Sequence, residues 1–157
     1  MQIRLLLLSC LAFSMLIPLA GCQKRTGGSS EKPIFLVSIT RDGSLKENEN
    51  EDLLRLDMAL KLAGFALDEG RDVVIFFNIR GVNVAKKSFD KELKFKDNDT
   101  ITAQLEKLIE RGAKVHVCPI CMKVYDVKDE EIIEGALVTT RPKLFKNIGS
   151  NTAVFSY

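Results

Sequence analysis

Three apolar runs set the terms on which this chain can fold. "PIFLVSIT" (33–40), "DVVIFFNI" (72–79) and "AKVHVC" (113–118) are short, rich in β-branched residues and almost free of polar interruptions. A strand with one wet face alternates apolar and polar residues. A run without that alternation fits a strand covered on both faces, as in a parallel sheet. Helical patterns separate the runs. In "EDLLRLDMALKLAGFALDEG" (51–70), Leu53, Leu56, Leu60, Ala63 and Leu67 follow the 3.6-residue period, with Glu49, Glu51 and Asp52 at the dipole's positive end and Gly70 as the stop. "TITAQLEKLIERG" (100–112) repeats the design with Ile101, Leu105, Leu108 and Ile109 as its stripe, Asp99 or Thr100 as cap and Gly112 as stop.

The remaining segments continue the alternation. "PICMKVYDV" (119–127) opens with Pro at the first position of a short helix, and "DEEIIEGA" (129–136) adds a helical turn or two. "LVTTR" (137–141) is a short strand or extended link, "PKLFKNIG" (142–149) a short helix, and "NTAVFSY" (151–157) a final strand. "RGVNVAKKSFDKELKFKDND" (80–99) reads as a long charged connection with little regular structure, of a length that is often functional or covered by a partner. Strand–helix alternation argues for right-handed βαβ units, a mainly parallel sheet and helices on both faces. The fold class expected is therefore α/β, a three-layer sandwich with about five strands. In such sheets, chemistry sits outside the carboxyl ends of the strands. Thr40 and Arg41, Asn78 to Val82, and Cys118 would line that edge.

The first 32 of the 157 residues lie outside this pattern. "MQIR" is a short positive segment, and "LLLLSCLAFSMLIPLA" (5–20) is apolar but too short and wrongly flanked for a membrane span. It runs into "LAGC" (19–22), which resembles the lipoprotein signal of bacteria, with cleavage before Cys22 and lipid on Cys22. An ordinary secretory signal or an anchor helix is the competing reading. Residues 1–21 would then be a signal peptide, and 22–32, "CQKRTGGSSEK", a flexible tether with its lipidated cysteine. Several acyl chains on Cys22 would hold the protein stably to membrane lipid. Gln23, not Asp, follows the cysteine, which favours the outer membrane over the inner, on the periplasmic side of the cell envelope. The folded domain spans 33–157.

Of four cysteines, Cys10 leaves with the signal and Cys22 carries lipid, so Cys118 and Cys121 are the remaining thiols. "VCPICMK" (117–123) places Cys118 at a strand end and, with Pro119 at the first helical position, at the N-cap; Cys121 is then the third residue of the helix. A sulfur at an N-cap faces free backbone N–H groups, which favour the nucleophilic thiolate. The spacing also permits a disulfide. Two small buried hydrophobes are the plain alternative. A thioredoxin-type motif has this spacing, but follows an early strand, carries a long helix and faces a cis-proline. A structural zinc site needs four donors, whereas the chain offers Cys118, Cys121 and its single histidine, His116, on the same strand face as Cys118. Those three could hold Cu(I) or complete a site between subunits, although a lone strand histidine is more often packed and hydrogen-bonded. No metal or other cofactor is therefore assigned.

Other functions are excluded or weak. A net charge of +2 argues against electrostatic nucleic-acid binding. There is no dinucleotide-binding glycine motif, P-loop or nucleophile elbow. "ENENED" and "KDEE" precede helices and read as solvated helix starts, and "KKSFDKELKFK" (86–96) as a solvated loop.

Taken together, residues 33–157 resemble the DsrE/DsrF-like proteins, which include sulfur-relay subunits of the TusBCD type. The resemblance is carried by the opening strand, the helix rich in Ala and Leu, the second strand running into "NIRGV" (78–82), and above all "LIERGAKVHVCPICMKVYDVKDEEIIEGALV" (108–138). It implies an α/β sandwich assembled into homo-oligomers, trimers or hexamers. It places Cys118 on the family's functional cysteine and Cys121 where only some members have a second. In characterised relay members that cysteine accepts sulfane sulfur as a persulfide. The expectation is that Cys118 thiolate attacks a sulfane sulfur or disulfide from a donor or thiol partner, with Cys121 as the resolving thiol. The alternative is a non-catalytic oligomeric envelope protein that binds a small ligand, metal or partner at the strand-end edge. The relay members are cytoplasmic; an exported lipoprotein departs from them in this.

Overall fold

The computed structural model describes residues 32–44 and 49–157. The signal segment, Cys22 and the tether up to residue 31 lie outside the described residues. The elements run β1 (Ile34–Ile39), α1 (Glu49–Asp68), β2 (Asp72–Phe77), a 3-10 segment (Ile79–Ala85), α2 (Ile101–Glu110), β3 (Lys114–Val117), α3 (Pro119–Val124), a 3-10 turn (Asp129–Glu131), β4 (Ala136–Val138), α4 (Arg141–Lys146) and β5 (Thr152–Ser156). The five strands form one sheet in the order β4-β3-β2-β1-β5, and every pair is parallel. This is the α/β architecture with a five-stranded parallel sheet that the apolar runs call for.

The strand order explains the layers. From β1 through β4 each crossover steps the same way, so right-handed connections put α1, α2 and α3 on one face. The return from β4 to β5 spans the sheet in the opposite sense and carries α4 to the other face. Phe35, Val37, Ile39, Val73, Ile75, Phe77, Val115 and Val117 point to the first face. They meet Leu56, Leu60 and Ala63 of α1 and Leu105 and Leu108 of α2. Leu56 and Leu60 are fully buried, and each stabilises the fold by about 2 kcal/mol through apolar area removed from water. The second face is thinly covered. Leu36 and Val74 are buried there, but Leu137, Val154 and Phe145 of α4 remain more than half exposed.

Most caps fall where the residue types put them. Thr100 accepts a hydrogen bond from the Ala103 N–H, and Gly70 and Gly112 take φ of 71° and 94° at the ends of α1 and α2. The connection 80–99 is more structured than its charge suggests. Its first part is the 3-10 segment, where Val82, Val84 and Ala85 are buried, and Phe89, Leu93 and Phe95 further on pack against the core. Apolar residues at uneven spacing anchor this stretch, so it lacks a helical or strand period while still burying side chains.

Gly81 is the tightest point of that segment. A Cβ there would lie 2.2 Å from the Ile39 carbonyl oxygen and 2.9 Å from its carbon. Those atoms belong to β1 and cannot move without breaking the sheet end. Gly81→Ala is therefore expected to lower the unfolding free energy by about 2–3 kcal/mol, read as a reduced urea midpoint. A midpoint equal to that of the unaltered chain would show that the segment is not clamped there.

Candidate functional site

The register brings three strand ends into line. Ile39 pairs with Phe77 and Phe77 with Val117, so Thr40, Asn78 and Cys118 follow side by side at the carboxyl edge. Their backbones tie the edge together: Asn78 N–H donates to the Ile39 carbonyl at 3.0 Å and Cys118 N–H to the Phe77 carbonyl at 2.9 Å. The strand-end residues expected from sequence thus share one edge.

Cys118 is the N-cap residue of α3, with extended backbone (φ −74°, ψ 114°) and Pro119 next to it. Its carbonyl accepts the Met122 N–H at 3.0 Å, and buried Met122 fixes the short helix to the core. Cys121, one turn along, is brought to the same place. Both thiols are free and half-buried. Cys121 Sγ accepts a hydrogen bond from the Ile79 N–H at 3.1 Å. Burial pushes the Cys121 thiol up, a hydrogen bond with the Cys118 sulfur pushes it further, and the Ile79 N–H pulls partly back. The balance holds the Cys121 pKa above its ordinary value, which suits a resolving thiol better than an attacking one.

Sequence reasoning puts Ile79 at this edge but misses its backbone and its bond to Cys121. Its φ is 49°, in the left-handed region, where a β-branched side chain is strained by roughly 1–2 kcal/mol. The strain aims its N–H at the sulfur. Nothing in "NIRGV" signals it, because glycine or asparagine is the usual occupant of such a position. Beside it, Asn78 Nδ2 donates to Ser38 Oγ at 3.1 Å, while its buried Oδ1 has no partner.

A second feature of this edge corrects the reading of "ENENED" as wholly solvated. Asp52 is buried in the first turns of α1 and faces two arginines. Arg41 Nη1 lies 2.8 Å from Asp52 Oδ1, and Arg80 Nη2 lies 3.4 Å from Oδ2. Arg80 also approaches Asp42 at 3.7 Å, and Asp42 accepts hydrogen bonds from Asn83 and Ser44. Two buried carboxylates, Asp42 and Asp52, are thus met by arginines two and three residues beyond β1 and β2. An Arg two or three residues beyond each of two neighbouring parallel strands was the available signal. "KDEE" does stand in solvent, with Glu131 accepting from the Lys128 N–H.

His116 does not join the thiols. Its side chain lies on the sheet face of α4, where Nδ1 sits 3.1 Å from Thr139 Oγ1 and Nε2 3.3 Å from Asn147 Nδ2. The amide donates to Nε2, so Nδ1–H donates to Thr139, whose hydroxyl passes a bond to the Thr140 carbonyl. Both ring nitrogens are occupied, and among the described residues no group of three His, Cys, Asp or Glu is placed to hold a metal. Two cavities, of about 470 and 650 Å³, lie against Phe89 on either side of the 86–93 stretch, away from the cysteines.

Burial, then the charges of Lys114 and Lys143, hold the His116 pKa below its ordinary 6.5. A depressed pKa means that the unfolded chain takes up the proton first. Stability is then full above about pH 6.5 and falls as the pH drops below it. Unfolding midpoints measured from pH 7 to 5.5 should fall in the unaltered chain and change much less in His116→Gln. An equal slope in both would remove His116 as the cause.

Comparison with known proteins places this geometry in a family. The family model described as DsrE/DsrF-like matches residues 48–155. An uncharacterized protein of Methanocaldococcus jannaschii is 36% identical over 99 residues, covering 63% of this chain and 83% of its own length. An uncharacterized protein of Methanopyrus kandleri is 35% identical over 82 residues, covering 52% of this chain and 64% of its own. Among solved structures, the ychN protein of E. coli superposes with a TM-score of 0.58 at 18% identity, over 80% of this chain and 99% of that one. A protein of unknown function from Methanobacterium thermoautotrophicum gives 0.54 at 13%, over 79% and 98%. Those two likenesses speak for the fold. The family match covers most of the chain, including both cysteines and the segment that carries Ile79, and the chain belongs to the DsrE/DsrF-like family.

Proposed function

We propose that this protein uses Cys118 as a reactive thiol that takes up sulfane sulfur as a persulfide, or exchanges disulfides, with Cys121 as its resolving partner. The observation that carries the reading is the unequal environment of the pair. Cys118 is the N-cap residue of α3 without a side-chain cap bond, and its sulfur meets that of Cys121. Cys121 takes the Ile79 N–H, while burial and then the Cys118 sulfur push its thiol up. Cys118 thiolate attacks a sulfur–sulfur bond, the leaving group departs with the electron pair, and Cys121 or a partner thiol later releases the product.

The setting belongs to the same proposal. Lipid on Cys22 would tether the domain to the periplasmic side of the cell envelope, at the outer membrane, consistent with "LAGCQ" in the sequence. Among the described residues no helix is long and apolar enough to cross a membrane. Self-association is supported by the thin cover of the second sheet face, where Leu137, Phe145 and Val154 stay exposed.

The purified chain, reduced and then given polysulfide, should gain sulfur on Cys118 by mass spectrometry. Cys118→Ser should abolish the gain. Cys121→Ser should retain it and slow its release. No adduct on either thiol, together with slow alkylation of both, would instead favour a non-catalytic module that binds a ligand or partner at this edge.

A further inference from the structure

The surroundings of the thiol pair carry a statement about what it can accept. Three large aliphatic side chains from the segments that carry or touch the pair stand in solvent: Ile79 is 52% exposed, and Ile120 and Val124 of α3 are each 73% exposed. Ile79 adjoins the pair through its own N–H on Cys121 Sγ. At roughly 100° per residue, Val124 lies about 60° from Cys121 around α3 and Ile120 about 100°, whereas Lys123 is turned about 160° away. The groups that shift the Cys121 thiol are burial, Cys118 and a backbone N–H, with no cation among them.

The arginines at this edge are already engaged. Arg41 pairs with the buried carboxylate of Asp52, and Arg80 with those of Asp52 and Asp42. A site for an anionic sulfur donor such as thiosulfate needs uncommitted cations or several convergent donors. This rim offers aliphatic surface in their place.

Ile79 sharpens the point. Its backbone is in the left-handed region, which glycine or asparagine would occupy with less strain. Burial of the side chain does little to offset that strain, because half of it is in water. What isoleucine adds over those residues is aliphatic surface beside the sulfurs.

We propose that the thiol pair takes its sulfur from a neutral, apolar sulfane, of which cyclo-octasulfur is the simplest, seated on the rim of Ile79, Ile120 and Val124. This rests on the reading of Cys118 as a reactive thiol. In the step, the Cys118 thiol gives its proton to water and its sulfur attacks one atom of the ring. A bond forms between Cys118 Sγ and that atom. One ring S–S bond breaks, and its electron pair stays on the terminal sulfur of the opened chain. If Cys121 then gives its proton to water and attacks Cys118 Sγ, the bond from Cys118 Sγ to the sulfur chain breaks, a disulfide forms and the chain leaves as a dianion. The dithiol has lost two electrons and the sulfur has gained them, so no further oxidant is required.

The test compares cyclo-octasulfur with thiosulfate as donors to the reduced, purified chain, each rate divided by that of free cysteine with the same donor. The normalised rate should be about tenfold higher for cyclo-octasulfur, and the double variant Ile120→Gln, Val124→Gln should lower the ratio of the two rates by about tenfold. A ratio favouring thiosulfate, or one the double variant leaves unchanged, overturns the apolar substrate class while Cys118 stays a sulfur acceptor. Loading from neither donor overturns the reactive-thiol reading and this inference with it.

Discussion

The Ile39 carbonyl, at the carboxyl end of β1, organises the site. It accepts the Asn78 N–H at 3.0 Å and is pressed against the α-carbon of Gly81. Those contacts fold the exit of β2 back over the end of β1 as soon as the strand stops. The chain can make that reversal only by passing Ile79 through a left-handed backbone. The reversal turns the Ile79 N–H outward along the edge, toward Cys121. Without an unsubstituted carbon at residue 81 the 3-10 segment could not lie so close, and the donor would not meet the sulfur. A steric constraint two residues away thus becomes a chemical feature of the thiol pair.

The parallel sheet supplies the rest. Because β1, β2 and β3 end in register, the reversal after β2 and the helix start after β3 are neighbours. Cys118 is placed by the strand and Cys121 by the first turn of α3, which Met122 pins to the core. The two sulfurs then differ in what holds them. One belongs to a strand end, and the other is partly desolvated and hydrogen-bonded, with its pKa pushed up by burial first. That difference is what supports the proposed reading of the two as an attacking and a resolving thiol.

Legibility in the sequence followed periodicity. Unbroken apolar runs, a 3.6-residue stripe and a proline after Cys118 each have one structural reading. The sheet, α1, α2 and the N-cap position of Cys118 were therefore within reach. The 3-10 segment was not, because Val82, Val84 and Ala85 have no regular spacing. Nor was the pairing of Asp42 and Asp52 with Arg41 and Arg80, which joins residues up to 38 positions apart across two strand ends. Acidic residues at a helix start look the same in sequence whether they face water or a buried arginine. Ile79 is the sharpest case: residue type argued against the conformation it takes, and only the clamp at Gly81 explains it.

The account stands on the inequality of the two thiols, and competitive alkylation in one sample reads it directly. The reduced chain is treated at pH 7 with less iodoacetamide than there are thiols, and the label is located within the peptide by fragmentation. The label should fall on Cys118 over Cys121 by about tenfold, since burial and the Cys118 sulfur hold the Cys121 thiol back from its reactive form. Equal labelling, or a majority on Cys121, would contradict it.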